Sequence, residues 1–180
     1  MLCNSGGKPE KELYYLDMLR QNKVAGIVGI TYNDIEDNVG PEIPMVSIDC
    51  HFNRPITCVT SDNFAGGRLA LRELVKAGAQ KPVFIGAVAA MPSEMMNRKA
   101  GFAYEARRLG VDYAIFERPD PIADEAAYFD EFFCIHRETD GVFAINDMFA
   151  AKYIDRAVQL GLKVPEDVKV IGYDGIQSHP

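Results

Sequence analysis

The feature that most constrains this chain is the repeated switch of its apolar residues between a period of 2 and a period of 3.6. Such switching points to strands and helices in alternation. It is cleanest from Asp62 onward. There, Asp62 or Asn63 can cap a helix whose buried stripe is Leu71, Leu74 and Val75 and which stops at Gly78. A strand is expected over 83–86, a helix opened by Ser93 and Glu94 and running to Leu109, and a strand over 113–116. A helix over 123–136 and a strand over 141–145 follow, then a helix capped by Asp147 that buries Ala150, Ile154, Ala157 and Val158. The last strand is expected over 168–172. Upstream, Pro9 suits a first helical turn, with Leu13 and Leu16 at helical spacing to about Gln21. The run 24–30 reads as a buried parallel strand, 43–49 as a second strand and 57–60 as a third.

This order predicts an α/β chain with parallel sheets flanked by helices, divided into residues 1–60 and 61–180. In open sheets of this kind, ligands bind beyond the carboxyl ends of the strands. That rule singles out 87–97, 117–121, Asn146-Asp147 and 173–175 before any further consideration.

Composition narrows the function classes. With 48% hydrophobic and 25% charged residues, the 180-residue chain has an ordinary soluble profile and enough length for one or two cores. No apolar run approaches the ~18 residues of a membrane span. The opening residues have no basic or apolar leader, so the cysteines at 3, 50, 58 and 134 read as reduced thiols of a cytoplasmic protein. Residues 1–60 carry five Lys/Arg against eight Asp/Glu, and residues 61–180 carry fourteen against eighteen. Neither part is the basic surface that tracks nucleic acid directly.

Catalytic and metal motifs are missing. Gly7-Lys8 lacks the flanking residues of a phosphate loop, and no paired Cys or His spacing fits zinc, so His51, His136 and His179 read as surface residues. Tyr128, Phe129, Phe132 and Phe133 read as core. The expectation is a chain that is not an enzyme and holds no cofactor. Three polar residues fall at the expected sheet edge. Arg98 offers a planar fork suited to hydroxyls or a carboxylate, against the default of a solvated helix face. Asn146 can donate and accept, whereas its neighbour Asp147 reads as the helix cap. Asp174 can accept two hydroxyl hydrogen bonds, or simply be a turn residue before Gly175.

Several segments carry a resemblance to a known family. Arg98-Lys99-Ala100-Gly101-Phe102 resembles the R-x-x-G-F segment of LacI/GalR-type transcriptional regulators. The run from Asp140 through Asn146-Asp147 to Ala150 resembles their D-A-[IV]-x-x-x-N-D-x-x-A. The run from Gly161 to Asp174 closely matches G-x-x-V-P-x-D-V-x-[VI]-x-G-[FY]-D. Upstream, Val24-Ala25-Gly26-Ile27-Val28, Ile43 to Asp49 and Val59 to Gly66 fit in order.

The resemblance implies a two-lobed periplasmic-binding-protein-like effector domain, incomplete at both ends. It would lack the headpiece, first strand and first helix before the first lobe, and the returning crossover and last helix after the second. A sugar or related polar metabolite, or a purine, would control lobe closure and so the DNA affinity of a headpiece absent from this chain. A homodimer is implied, with DNA bound only through that headpiece and no membrane partner. The carried-over ligand contacts are Arg98, Asn146 and Asp174. Asp120, Glu94 and Phe52 stand in variable, ligand-facing segments, and the Val59 to Asn63 stretch resembles a hinge crossing. The alternative is a transport-type sugar-binding protein of the same fold.

Overall fold

The computed structural model describes residues 1–31, 33–89 and 93–176. It divides into two compact units, one of Met1–Ser61 with Ala89–Glu94 and one of Asp62–Val88 with Met95–Pro180.

The first unit contains α1 (Pro9–Gln21), β1 (Ile27–Gly29), a 3-10 turn (Glu36–Asn38), β2 (Met45–Ile48) and β3 (Thr57–Val59). The strands form a parallel sheet in the order β1-β2-β3. Its core is small, built on Leu16, Ile35 and Val39 with Leu13, Ile27, Met45, Phe52 and Ile56 packed against them. The run 24–30 is not a buried strand: β1 is an edge strand, Val28 is 72% exposed and Ile30 is also largely open. An apolar run fits an edge strand as well as a central one, and neighbours decide between them.

The second unit runs α2 (Asn63–Lys76), β4 (Pro82–Val88), α3 (Met96–Leu109), β5 (Ala114–Pro119), α4 (Glu125–Ile135), β6 (Gly141–Ala144), α5 (Asp147–Gln159) and β7 (Lys169–Ile171). Its four strands are parallel in the order β5-β4-β6-β7. Strand alternation sorts the aromatic rings between the two faces. Phe84 and Phe143 meet Phe102 of α3 on one face. On the other, Phe116 meets Tyr128 and Phe132 of α4, and Tyr153 of α5 packs on Phe132. Phe84, Phe102, Phe132 and Phe143 are completely buried, each contributing roughly 2–3 kcal/mol of transfer free energy. His136 is not a plain surface residue: its ring lies against Phe116 and Phe132, and partial burial pulls its pKa down.

Local chemistry explains the helix ends. Asp62 and Asp124 accept from the backbone N–H of Ala65 and Ala127 at 2.9 Å, and Gly110 ends α3 with φ 68°. Two details differ from expectation. Val158 points outward at 58% exposure, because Tyr153 takes the buried stripe of α5 together with Ala150 and Ala157. Helix α3 starts at Met96 rather than Ser93. Ser93 instead forms an antiparallel bridge with Cys50, and Glu94 N–H donates to the Asp49 carbonyl, which holds this stretch on the first unit.

Helices α2 and α3 are joined by a buried carboxylate. Glu105 is fully covered by Arg68 and Arg72 of α2 and Arg108 of its own helix, at 2.8, 2.6 and 2.6 Å. Hydrogen bonds from Arg108 and Arg72 hold its carboxyl well below the usual carboxylate range. Nothing in the spacing of the sequence marks Glu105 as interior.

Candidate functional site

The order β5-β4-β6-β7 contains a reversal. From β4 the chain passes through α3 outward to β5, while from β6 it passes through α5 to β7 on the opposite side. The crevice beyond the carboxyl ends of β4 and β6 is therefore a topological switch point, flanked by the first turns of α3 and α5. Arg98 is the third residue of α3, and Asn146 caps α5.

Arg98 is 2% exposed, so it is a buried cation and not a solvated helix residue. Burying a guanidinium is tolerable only when its donors are satisfied. Here Nη1 donates to the Ile145 carbonyl at 2.6 Å, and Nε donates to Asn63 Oδ1 at 2.8 Å. Nη2 lies 3.1 Å from Asp174 Oδ1. The Tyr173 ring covers one face of the cation, with its centroid 3.6 Å from the guanidinium carbon. Three different elements thus fix one planar group: the end of β6, the start of α2 and the turn after β7.

Asp174 keeps 37% of its side chain exposed while it touches Arg98. Its backbone has φ 94°, a left-handed conformation that Asp tolerates better than most residues but that still costs about 1 kcal/mol or more. Asp147 holds this turn. Its N–H donates to the Tyr173 carbonyl at 2.9 Å, and its Oδ2 accepts from Ile176 N–H at 2.6 Å. Its side chain passes over Gly172, where an added Cβ would lie 2.1 Å from Asp147 Oδ1.

The helix cap expected at Asp147 falls on Asn146. Asn146 is the cap, its Oδ1 accepting from Phe149 N–H at 2.8 Å. Asp147 is instead the organiser of the Asp174 turn. Adjacent capping residues are hard to rank from sequence, since both types favour that position.

The other expected contacts fall in different surroundings. Asp120 is exposed at the end of β5, its N–H bonded to the Val88 carbonyl at 2.9 Å. Phe52 is half-buried against the small core of the first unit. Glu94 also belongs to the first unit, where it pairs with His51. Thus, within the second unit, Arg98 and Asp174 meet directly with Asn146 at the same sheet end, and Phe52 and Glu94 belong to the first unit. Tyr173 and Asp147 fall in the segments singled out at the sheet end but were given no part in holding Arg98 or Asp174, and Asn63 was expected only as a cap or hinge residue. The only sequence signal for Asn63 was the doublet Asp62-Asn63, one more polar residue than a cap requires. Beside the site, Lys99 pairs with Glu117 at 2.6 Å, and Glu117 Oε1 is buried with no hydrogen-bond partner among the described residues. No cluster of His, Cys, Asp and Glu suited to a metal occurs among the described residues. No helix among them is long and apolar enough to cross a membrane.

Comparison with known proteins agrees with this architecture. Residues 71–179 match the model of the periplasmic binding protein-like domain. The ribose operon repressor of Bacillus subtilis (strain 168) is 34% identical over 175 residues, which is 96% of this chain and 53% of the relative. The sucrose operon repressor of Streptococcus mutans is 33% identical over 177 residues, covering 97% and 54%. The chain therefore spans about half the length of the curated relatives it matches. Among solved structures, a periplasmic binding protein/LacI transcriptional regulator from Alkaliphilus metalliredigens QYMF superimposes with a TM-score of 0.81 at 28% identity. It was crystallised in complex with D-xylulofuranose, and the match covers 97% of this chain and 66% of that one. With the doubly wound second unit and these matches together, the chain belongs to the periplasmic binding protein-like domain family.

Proposed function

We propose that this chain binds a small polyhydroxylated metabolite, a sugar or a close relative, at the carboxyl ends of β4 and β6. Binding would control lobe closure and, through it, DNA binding by a headpiece outside this chain, in a homodimeric cytoplasmic regulator that performs no catalysis. The observation that carries the reading is the Arg98–Asp174 pair, a buried and fully oriented cation beside a partly exposed carboxylate. A guanidinium edge donates to hydroxyl oxygens, and the carboxylate accepts from hydroxyl protons, so the pair addresses neighbouring hydroxyls of one ligand. Asn146 adds an amide donor beside them, and Asp120 stands at the next strand end. The left-handed turn at Asp174 supports the same reading, because strain of this kind is retained where a side chain must be aimed.

Relatives named for ribose and sucrose operons, and a solved relative that held D-xylulofuranose, favour sugars over purines as the first class to test. That the named relatives are repressors favours regulation over transport. The test is thermal unfolding of the chain with D-ribose, D-xylulose, sucrose and hypoxanthine. A binder at a hundredfold excess over its Kd stabilises by about 2.7 kcal/mol, a shift of several degrees for a chain of this size. One of the sugars is expected to produce it, and Asp174→Asn, which keeps the shape and tolerates the turn, to abolish it. A shift that survives Asp174→Asn would place the ligand elsewhere.

A further inference from the structure

We propose that Asn63 is the positioning residue for Arg98, and that it links the ligand-holding guanidinium to the point where the chain enters the second unit. The proposal rests on the sugar-binding reading for its consequence and on geometry alone for its premise.

Asn63 is almost completely buried at the first position of α2, and its Oδ1 accepts from Arg98 Nε at 2.8 Å. It is not needed as a cap, because Asp62 already accepts from Ala65 N–H. A buried side-chain amide is kept only where its polar atoms are used. The use here is geometric. Arg98 Nη1 is fixed by the Ile145 carbonyl at one end of the fork, and rotation about the Cδ–Nε bond is stopped when the Nε–H at the other end also has an acceptor. With both in place, the plane is set against the Tyr173 ring and Nη2 is delivered to Asp174.

The acceptor is an amide oxygen and not a carboxylate. It directs the cation without neutralising it, so the charge of Arg98 stays available to Asp174 and to a ligand. A carboxylate at 63 would compete with Asp174 for the same cation.

The reach of so short a side chain depends on two glycines. An added Cβ at Gly67 would lie 1.9 Å from the Arg98 carbonyl oxygen, and one at Gly101 would lie 2.0 Å from the Phe64 carbonyl oxygen. Helices α2 and α3 therefore touch backbone to backbone next to Asn63.

The place of Asn63 in the chain gives the bond a second role. Ser61 belongs to the first unit and Asp62 to the second, so Asn63 follows this passage directly. Arg98 follows the return passage from Glu94 to Met95. The Asn63–Arg98 hydrogen bond fastens these two entry points together inside the second unit. A ligand held by Arg98 is thereby coupled to the start of α2 through this one bond.

The test uses the full chain carrying 15N-labelled arginine. In the wild type, the buried Arg98 Nε–H is expected as a slowly exchanging NMR signal, assigned by its loss in Arg98→Lys. Asn63→Ala and Asn63→Ser, which cannot reach Nε, are expected to remove that protection. Asn63→Asp, which keeps an acceptor at the same reach, is expected to retain it. In parallel, Asn63→Ala is expected to weaken D-ribose binding roughly tenfold or more, as loss of one hydrogen bond to a charged group does. The effects of Asn63→Ala and Arg98→Lys on affinity should be far from additive. An Arg98 Nε–H signal that stays protected in folded Asn63→Ala or Asn63→Ser, or is lost in folded Asn63→Asp, overturns the proposal. If the signals behave as expected and no sugar binds the wild type, the positioning role stands and the sugar reading falls.

Discussion

Gly67→Ala is expected to lower stability by roughly 3 kcal/mol or more, a large part of the 5–15 kcal/mol that holds a domain of this size. The cause is the backbone approach of α2 to α3. The new methyl carbon would stand 1.9 Å from the Arg98 carbonyl oxygen and 2.9 Å from the Phe102 backbone nitrogen, and neither is a side chain that can turn away. The helices must part. Parting loosens Phe102 from Phe84 and Phe143 in the core and lengthens the Asn63–Arg98 bond in the site. Urea unfolding measures the loss. Gly110→Ala serves as the comparison, since that glycine has a positive φ but open space around it and should cost only about 1 kcal/mol. Equal losses at the two positions would mean that backbone conformation, and not helix contact, sets the cost.

Arg98→Ala is expected to destroy both ligand binding and part of the fold. From sequence, Arg98 reads as a ligand contact or a solvated helix residue. The structure changes that expectation, because the side chain is itself interior. Its loss strips the Ile145 carbonyl and Asn63 Oδ1 of their donor and empties the space under the Tyr173 ring. Unsatisfied buried acceptors cost about 1–3 kcal/mol each, so a fall of roughly 2–4 kcal/mol is expected in chemical denaturation. Sugar affinity should fall at least about a hundredfold. Arg98→Lys should recover part of the stability, since one ammonium can meet one acceptor but cannot span three directions. A variant that binds poorly but unfolds like the wild type would show that Arg98 is less tied to the interior than these contacts state.

Much of this was legible in the sequence. Periodicity placed the elements of the second unit because their caps and stops are local: Asp62, Asp124 and Gly110 act on residues within one turn. The sheet-end rule pointed to Asn146 and Asp174, since parallel strands open at their carboxyl ends, and Arg98 came in as the fork-bearing residue one position past the segment 87–97. What the sequence did not reveal depends on contacts between distant segments. Ser93 left the helix because Cys50, far away in sequence, pairs with it. Glu105 is interior because three arginines from two helices converge on it. Val28 is exposed because it points to the face of β1 opposite Ile27, which packs on the small core. Arg98 is buried because α3 turns that face toward Ile145 and Asn63, which spacing within α3 alone does not specify.

The central claim is that a sugar is held at the carboxyl ends of β4 and β6 by the oriented Arg98–Asp174 pair. Its most direct test is a 1H–15N NMR titration of the chain with D-ribose and then with each other sugar of the panel. The predicted result is a saturable change concentrated at the Arg98 Nε–H and at the backbone of Asn146, Asp147 and 173–175. Saturable changes confined to the opposite end of the sheet, around Lys81, Asp112, Tyr113 and His136, where a cavity of about 350 Å³ lies, would contradict it.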